Sequence, residues 1–303
     1  MLLIYGGVSA IIIDSYLLYV KGLIALYKIV KKRQLNENVV LMEIDAPFVA
    51  KKALAGQFII LRVDEYGERI PLTVADYDRE KGTVTIIFQI VGGTTMLLST
   101  LKEGDFLKDF AGPLGRATEL EGVKKACVIG GGVGCAIAYP SAKALFNSGA
   151  QVDVIAGFRS KDIVILEEEF RAVSHNLYIT TDDGSYGEKG FVTDKLKSLI
   201  DGGNKYDLVL AIGPVPMMKF VCKVTEPYGI KTLVSLNPIM IDGSGMCGGC
   251  RVSVGGEIKF ACVDGPDFDG HQVNFDELMK RNSAYKEAEA HSRENCRLYK
   301  GVE

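Results

Sequence analysis

Three cysteines near the C-terminal end of the chain lie in a glycine-rich stretch, at a spacing that suits an iron–sulfur cluster. Asp242 is followed after four residues by Cys247, after two more by Cys250, and after eleven more by Cys262. Plant-type [2Fe–2S] sites use C-x4-C-x2-C and a distant fourth cysteine, because a tight loop wraps three ligands around the cluster. Here that spacing is kept, with a carboxylate in the first position. The pattern predicts a [2Fe–2S] site with these four residues as ligands.

The glycines of this stretch support the same interpretation. Gly243, Gly245, Gly248 and Gly249 all fall between the first and third proposed ligands. A loop that folds tightly around a cluster needs positive φ angles and close approach of the backbone, which glycine tolerates best. Backbone N–H groups turned towards sulfur also stabilise the negative charge of a cluster.

Two other interpretations of the cysteines stay open. Zn²⁺ accepts sulfur and oxygen ligands, so a zinc site of three cysteines and an aspartate is possible, although structural zinc sites pair two close-set ligand couples. Unligated cysteines in a hairpin would have to explain three thiols among four glycines. The fourth ligand is also open, since an aspartate in a loop is commonly a turn residue. Asp264 and His271 are the alternative fourth ligands.

A second candidate site is a run of glycines in the middle of the chain. Gly130, Gly131, Gly132 and Gly134 follow the apolar segment KKACVI and precede a helical pattern. Glycines between a strand and a helix let the backbone approach a pyrophosphate, and the helix N-terminus supplies N–H donors. The run does not match the strict G-x-G-x-x-G spacing. The alternative is a tight turn without a ligand.

Two groups of residues in the N-terminal half offer further contacts for a ligand. The first group, with a cation and a hydroxyl on a predicted strand, is Arg69, Pro71, Leu72 and Thr73. The second group, with backbone donors at a predicted helix start, is Val91, Gly92, Gly93, Thr94 and Thr95. Such donors suit phosphate. Taken alone, each group is also compatible with a solvated arginine and an ordinary capped helix.

The elements that position these residues change along the chain. Residues 27–117 hold short β-like segments separated by turn residues, which predict an antiparallel β barrel with one helix near Thr95 to Leu101. Residues 122–229 alternate strand and helix patterns, which predict a doubly wound parallel α/β sheet that ends near Gly229. Residues 230–271 form the predicted cluster subdomain, and residues 272–303 a polar helical tail.

Composition narrows the function further. The net charge of −3 and the absence of a basic stripe give no electrostatic case for nucleic acid. Of the seven cysteines, Cys127, Cys135 and Cys222 sit singly in apolar runs, which is typical of buried free thiols in a reduced, cytoplasmic protein. Residues 1–26 are an apolar extension that Asp14 and Lys21 interrupt, so we expect no membrane anchor there.

The segments GGGVGCA, DDGSYGEKGFVTD, AIGPVPMMK and DGSGMCGGC together resemble the ferredoxin–NADP reductase superfamily. The likeness is to the branch with a C-terminal [2Fe–2S] domain, which includes the electron-transfer subunit of dihydroorotate dehydrogenase and the small (alpha) subunit of NADH-dependent reduced ferredoxin:NADP oxidoreductase. It covers about residues 27–290. The resemblance implies an oxidoreductase subunit that moves electrons between NAD(H), FAD and a [2Fe–2S] cluster. It also implies a larger iron–sulfur flavoprotein partner, with ferredoxin as an indirect partner.

The resemblance assigns roles to the residues named above. Thr73 would hydrogen-bond near flavin N5, and Val91 to Thr95 would hold the FAD pyrophosphate. Gly130, Gly132 and Gly134 would line the nicotinamide dinucleotide path, with Gly213 and Pro214 at its opposite lip. The family pattern R-x-Y-S places Ile70 where a phosphate-binding arginine belongs, and Arg69 is one residue early. On a strand, that is the opposite face.

Within the branch, two features favour the ferredoxin:NADP oxidoreductase small subunit. Asp242 stands where the dihydroorotate subunit normally has a cysteine, and FDELMKRNSAYKEAE extends the chain. The alternatives are the dihydroorotate dehydrogenase electron-transfer subunit and a non-redox, zinc-containing binding protein. The basic set Arg159, Ser160 and Lys161 follows the second strand of the α/β region and could accept a 2′-phosphate, although the family favours NAD.

Overall fold

The computed structural model describes residues 27–295, so the predicted extension at residues 1–26 lies outside the described part. The first sheet has seven strands in the order β6-β1-β2-β5-β4-β3-β7, and every neighbouring pair is antiparallel. It curls into a nearly closed barrel, which confirms the predicted class. The strands are β1 Tyr27–Asn36, β2 Val39–Asp45, β3 Phe58–Arg62, β4 Ile70–Asp78, β5 Thr83–Gln89, β6 Phe106–Leu107 and β7 Asp109–Leu114.

Two helices interrupt the barrel, where the sequence pattern predicted one. The predicted helix is α2, Gly93–Thr100, and the additional one is α1, Pro47–Lys52. Helix α1 has only six residues and begins with a proline, so it is too short to show a helical period. It covers one end of the barrel core, in which Val49 and Ala50 are buried.

The second sheet is parallel apart from one edge strand, in the order β11-β10-β9-β8-β12-β13-β16. Its strands are β8 Lys125–Gly131, β9 Gln151–Phe158, β10 Asn176–Thr181, β11 Glu188–Lys189, β12 Leu208–Ile212, β13 Thr232–Ser235 and the antiparallel β16 Asp267–Asp269. The helices between them are α3 Gly134–Asn147, α4 Glu167–Ala172, α5 Val192–Asp201 and α6 Val215–Thr225. The doubly wound prediction is confirmed.

The second sheet continues beyond Gly229, where the alternating pattern was expected to end. Strands β13 and β16 fall inside the range predicted for the cluster subdomain. Sequence pattern missed β16 because its three residues follow the cysteine hairpin and pair antiparallel with β13.

The remaining elements surround the cysteines. They are the hairpin β14 Arg251–Val254 and β15 Glu257–Phe260, α7 Ala261–Asp264, α8 Phe275–Asn282 and α9 Lys286–Asn295. Cys250 and Cys262 belong to the same buried core as one face of the second sheet, and Phe58 and Ile60 of the barrel join that core. Every helix of residues 27–295 is too short or too polar to span a lipid bilayer.

Candidate functional site

The β14–β15 hairpin brings two of the predicted ligands together. Cys250 precedes β14, and Cys262 lies in α7 directly after β15. The Cys262 backbone N–H donates to Cys250 Sγ at 3.4 Å, and each residue is only 1% exposed. Burial, together with the neighbouring Cys250 thiol, raises the pKa of the Cys262 thiol to about 12. A metal ion bound here would have to stabilise the Cys262 thiolate against this burial.

The other two predicted ligands form a second pair in the preceding loop. Asp242 Oδ1 accepts from the Ser244 N–H at 2.8 Å, and this bond, assisted by the Cys247 thiol, holds the pKa of the Asp242 carboxyl below its ordinary value. Cys247 is exposed, and its Sγ accepts from the Gly249 N–H at 3.4 Å. The carboxylate is thus ionised, as a ligand must be.

Ligands arranged as two neighbouring pairs suit a two-iron cluster, in which each iron takes two protein ligands. Within residues 27–295, no three His, Cys, Asp or Glu side chains form a group that could hold one metal ion. The alternative fourth ligands make other contacts. Asp264 Oδ2 accepts from the Phe260 N–H at 2.8 Å, and His271 Nε2 lies 2.9 Å from Thr225 Oγ1.

The cysteine loop packs against the barrel. A Cβ on Gly243 would lie 3.0 Å from side-chain carbons of Ile60 on β3 and Leu114 on β7. Strand β3 pairs with β4, and Phe58 of β3 is in register with Thr73. Paired strands lie about 4.8 Å apart. Thr73, which is half-buried, is therefore one strand away from the residues that contact the loop.

Sequence reasoning missed the segment after β7, which contacts the residues that follow Cys262. The Arg116 N–H donates to the Gly265 carbonyl at 2.7 Å, and its Nε donates to the Val263 carbonyl at 3.2 Å. A Cβ on Gly115 would lie 2.9 Å from the Gly265 carbonyl oxygen. The only signal in the sequence was the Gly-Pro-Leu-Gly-Arg turn, which carries no cofactor chemistry by itself.

The glycine run lies at the point where the strand order of the parallel sheet reverses, between β8 and β12. Ligands of open α/β sheets bind at this switch point. Gly130 and Gly131 end β8, Gly132 has a φ of +57°, and Gly134 begins α3. The amides of Val133 and Gly134 donate to no acceptor within residues 27–295.

Strand β12 delivers the opposite side of this crevice. A Cβ on Gly134 would lie 2.4 Å from the Ile212 carbonyl oxygen, and one on Gly213 would lie 3.1 Å from Gly131 Cα. A Cβ on Gly131 would lie 3.1 Å from Pro214 Cδ. The structure thus brings together all the residues predicted to line the dinucleotide path, namely Gly130, Gly132, Gly134, Gly213 and Pro214.

The predicted phosphate site in the barrel differs in detail from the sequence interpretation. Thr95 Oγ1 accepts from the Val91 and Gly92 amides, each at 3.0 Å. These two donors are therefore occupied. The amides of Gly93, Thr94 and Thr95 donate to no acceptor within the described chain.

Arg69 does not lie on a strand, contrary to the prediction, because β4 begins one residue later at Ile70. Its side chain is exposed and has no ion-pair or hydrogen-bond partner within residues 27–295. Pro71 and Leu72 follow on β4, both half-buried, and pair with Ile60 and Ile59 of β3.

Two protein families match the regions of the chain that hold the cysteine loop and the nucleotide crevice. Residues 237–274 match the iron–sulfur cluster binding domain of dihydroorotate dehydrogenase B, and residues 128–223 match the oxidoreductase NAD-binding domain. A homologue of the dihydroorotate dehydrogenase B electron transfer subunit from Thermotoga maritima is 48% identical over 265 residues, 88% of this chain and 93% of the relative.

One further relative and one solved structure are similar to this chain over most of its length. The dihydroorotate dehydrogenase B electron transfer subunit of Fusobacterium nucleatum is 33% identical over 252 residues, 80% of this chain and 95% of the relative. A chain in the solved structure of NADH-dependent reduced ferredoxin-NADP oxidoreductase is 48% identical with a TM-score of 0.84, and the match covers 89% of this chain and 97% of that one.

Proposed function

The chain belongs to the family of dihydroorotate dehydrogenase B electron-transfer subunits and their homologues, and we propose that it moves electrons between NAD(H), FAD and a [2Fe–2S] cluster as the small subunit of a ferredoxin:NADP oxidoreductase. The observation that carries the proposal is the arrangement of two ligand pairs, Asp242 with Cys247 and Cys250 with Cys262, against strand β3. Strand β3 pairs with β4, which carries Thr73, the residue proposed to lie beside the flavin.

The proposed role of the barrel is to hold FAD. The free amides of Gly93, Thr94 and Thr95 at the N-terminus of α2 suit a pyrophosphate. Thr94 Oγ1 donates to Glu68 Oε2 at 3.5 Å, so the exposed Arg69, the next residue along the chain, would supply a positive charge at this end of the helix. Thr73 would place a hydroxyl beside the flavin ring. FAD, when bound, would supply the conversion between two-electron and one-electron transfer.

The proposed role of the switch-point crevice is to hold the dinucleotide. The unpartnered amides of Val133 and Gly134 at the start of α3 suit its pyrophosphate. Lys161 is engaged with its own domain, since its N–H donates to Ser185 Oγ at 2.8 Å and its ammonium lies 5.4 Å from the centre of the Tyr186 ring. Arg159 of the same basic set is exposed, so the preference for NAD over NADP rests on the family likeness, and comparing flavin reduction by NADH and by NADPH tests it.

The proposed partner is a larger iron–sulfur flavoprotein subunit that exchanges electrons with ferredoxin. Two features support this choice over the dihydroorotate dehydrogenase complex: the carboxylate at position 242 and helices α8 and α9 after the cluster segment. All six cysteines among the described residues are free, which supports a reducing, cytoplasmic setting. Copurification decides between the ferredoxin:NADP oxidoreductase and the dihydroorotate dehydrogenase complex, because a partner that oxidises dihydroorotate would exclude the oxidoreductase.

Anaerobic purification of the full chain tests the central proposal. We expect flavin and two iron atoms per chain, together with an EPR signal of a reduced [2Fe–2S] cluster after addition of NADH or dithionite. Colourless protein with one zinc and no flavin would refute the redox function and favour the zinc-containing binding protein.

A further inference from the structure

The last turn of helix α8 reaches back to the cysteine loop. Arg281 Nη2 donates to the Gly249 carbonyl oxygen at 3.1 Å, and Asn282 Nδ2 donates to the Asn237 carbonyl oxygen at 3.2 Å. These carbonyls lie at the two ends of the loop that carries Asp242 and Cys247. Both side chains come from beyond residue 274, where the match to the cluster-binding family ends.

Helix α8 is a fixed platform for these contacts. Phe275 and Leu278 are 6% and 2% exposed, in the core that contains the buried cysteines. The first turn is capped by Asn274, whose side chain accepts from the Glu277 N–H, and the Glu277 carboxylate accepts from Ser253 Oγ at 2.6 Å. Helix α8 is therefore fixed by packing and by hydrogen bonds, and it holds the side chain of Arg281 in a defined position next to the cysteine loop.

The guanidinium of Arg281 is half-buried and has no carboxylate partner within residues 27–295. Its hydrogen bond goes to a neutral carbonyl oxygen. A partly desolvated cation without a counter-charge is unfavourable. A cluster bound by three thiolates and a carboxylate carries net negative charge, and it would supply the missing counter-charge at this place.

The bond to Gly249 also orients the amide of Cys250. The peptide between them is trans, so its C=O and N–H point in opposite directions. With the carbonyl held towards Arg281, the Cys250 N–H points away from it. This N–H has no acceptor in the described chain, although Cys250 is buried. Buried amides without a partner are rare, and an N–H beside a cluster can donate to sulfur.

We propose that Arg281 is a positioning residue for the cluster, which fixes the Gly249–Cys250 peptide and stabilises the reduced state by its charge. The inference rests on the proposed function, since it requires the cluster. Hydrogen bonds to the sulfurs and local charge both set the reduction potential of such clusters. A positive charge favours the state with the additional electron.

The test compares three variants of the full chain, purified anaerobically with flavin and cluster. Arg281→Met removes the charge and the hydrogen bond, and Arg281→Gln removes the charge but keeps an amide donor for Gly249. Lys280→Met, on the same helix, removes one exposed positive charge that makes no contact with the loop. The readouts are the midpoint potential of the cluster from an EPR-monitored titration, the g values, and the iron content.

In Arg281→Met we expect the equilibrium constant for one-electron reduction to fall about tenfold, which is about 59 mV, with altered g values. Arg281→Gln should lower the potential with g values closer to the unsubstituted protein, and Lys280→Met should change neither. Unchanged potential and g values in Arg281→Met overturn the inference. If that variant does not fold, an unchanged potential in Arg281→Gln overturns it. Unsubstituted protein without iron would instead refute the proposed function itself.

Discussion

Each of the two glycine-rich loops contains a glycine that is required, but for a different physical reason. At the nucleotide crevice, Gly134 is required by packing, because a Cβ there would lie 2.4 Å from the Ile212 carbonyl oxygen. In the cysteine loop, Gly248 is required by its φ of +67°, while the nearest atom to a Cβ there is 3.7 Å away. Gly134 is thus constrained by neighbouring backbone, and Gly248 by its own turn geometry.

This difference indicates how each loop depends on its ligand. Strands β8 and β12 pair directly, so the nucleotide loop keeps its shape whether or not a dinucleotide is bound. Much of the cysteine loop has no such ladder, and three of its proposed ligands lie within it, while Cys262 lies beyond the β14–β15 hairpin. Metal binding is commonly coupled to folding at sites of this kind. We infer that the cluster is part of the structure of the second loop.

The largest effect is expected from removing one proposed ligand. Cys250→Ala should reduce bound iron to below about a tenth of the unsubstituted level, because the buried pair with Cys262 loses one member. Cys222→Ala is the matched control, since Cys222 is a buried thiol of the same core outside the loop. Iron analysis and visible absorbance give the result. Full iron in Cys250→Ala would remove this residue from the ligand set.

Removing iron from the unsubstituted protein should separate the two loops. After chelation, we expect amide hydrogens of residues 242–250 to exchange about a hundredfold faster, since local opening costs little where ladders are absent. Residues 130–134 should keep their exchange rates. Hydrogen-exchange mass spectrometry of both segments measures the difference. Equal acceleration in both loops would mean that both depend on bound iron for their structure to the same degree.

The next prediction concerns Asp242, the proposed carboxylate ligand in the cysteine loop. Asp242→Ala should lose the cluster or bind it unstably, because one ligand pair is broken. Asp242→Cys should keep a cluster with a different reduction potential, since it restores a thiolate at the plant-type position. EPR titration and iron content distinguish these outcomes. A fully occupied cluster with an unchanged potential in the alanine variant would show that Asp242 is only a turn residue.

A pair of substitutions tests packing against backbone conformation in the nucleotide loop itself. Gly134→Ala should lower the free energy of unfolding by about 2–3 kcal/mol, because the new Cβ displaces the backbone of β12. Gly132→Ala meets no atom within 4 Å, so only its φ of +57° matters, and we expect a loss of about 1 kcal/mol. Urea unfolding measures both. Equal losses would mean that packing does not set this loop.

Sequence patterns predicted the parts of the molecule in which local spacing carries the information. The strand–glycine–helix order predicted the switch-point crevice, and the cysteine spacing predicted two ligands that the hairpin does bring together. Each of these depends on residues close in the chain. The barrel and the doubly wound sheet followed from strand and helix periods for the same reason.

Contacts between distant segments could not be predicted in this way. The packing of Gly243 against Ile60, and the bonds from Arg116 to Val263, join residues more than a hundred positions apart. Nothing in the local spacing records such pairs. The edge strand β16 and the start of β4 after Arg69 depend on three-dimensional pairing in the same manner.

The smallest expected effect concerns Asp267 on β16, which is linked to the helix that follows the nucleotide loop. Its Oδ2 accepts from Thr118 Oγ1 at 2.6 Å, and Thr118 Oγ1 lies 3.3 Å from Ser141 on α3, the helix of the nucleotide loop. Burial raises the pKa of the Asp267 carboxyl above its ordinary 3.8, and the buried Oδ1 has no partner among the described residues.

The sign of the pH dependence follows from this elevated pKa. The folded state favours the protonated Asp267 carboxyl. The resulting contribution to the free energy of unfolding is complete below about pH 4 and is lost as the pH rises through the pKa of the folded state. The loss amounts to about 1.4 kcal/mol for each unit by which the pKa is raised. Asp267→Asn removes this pH-dependent loss of stability, because the asparagine side chain does not ionise. We therefore expect its Tm, relative to the unsubstituted protein, to increase between pH 4 and pH 7, whereas the control Asp162→Asn, at an exposed carboxyl, should show no such trend. A Tm difference independent of pH would mean that Asp267 ionises without a cost in stability.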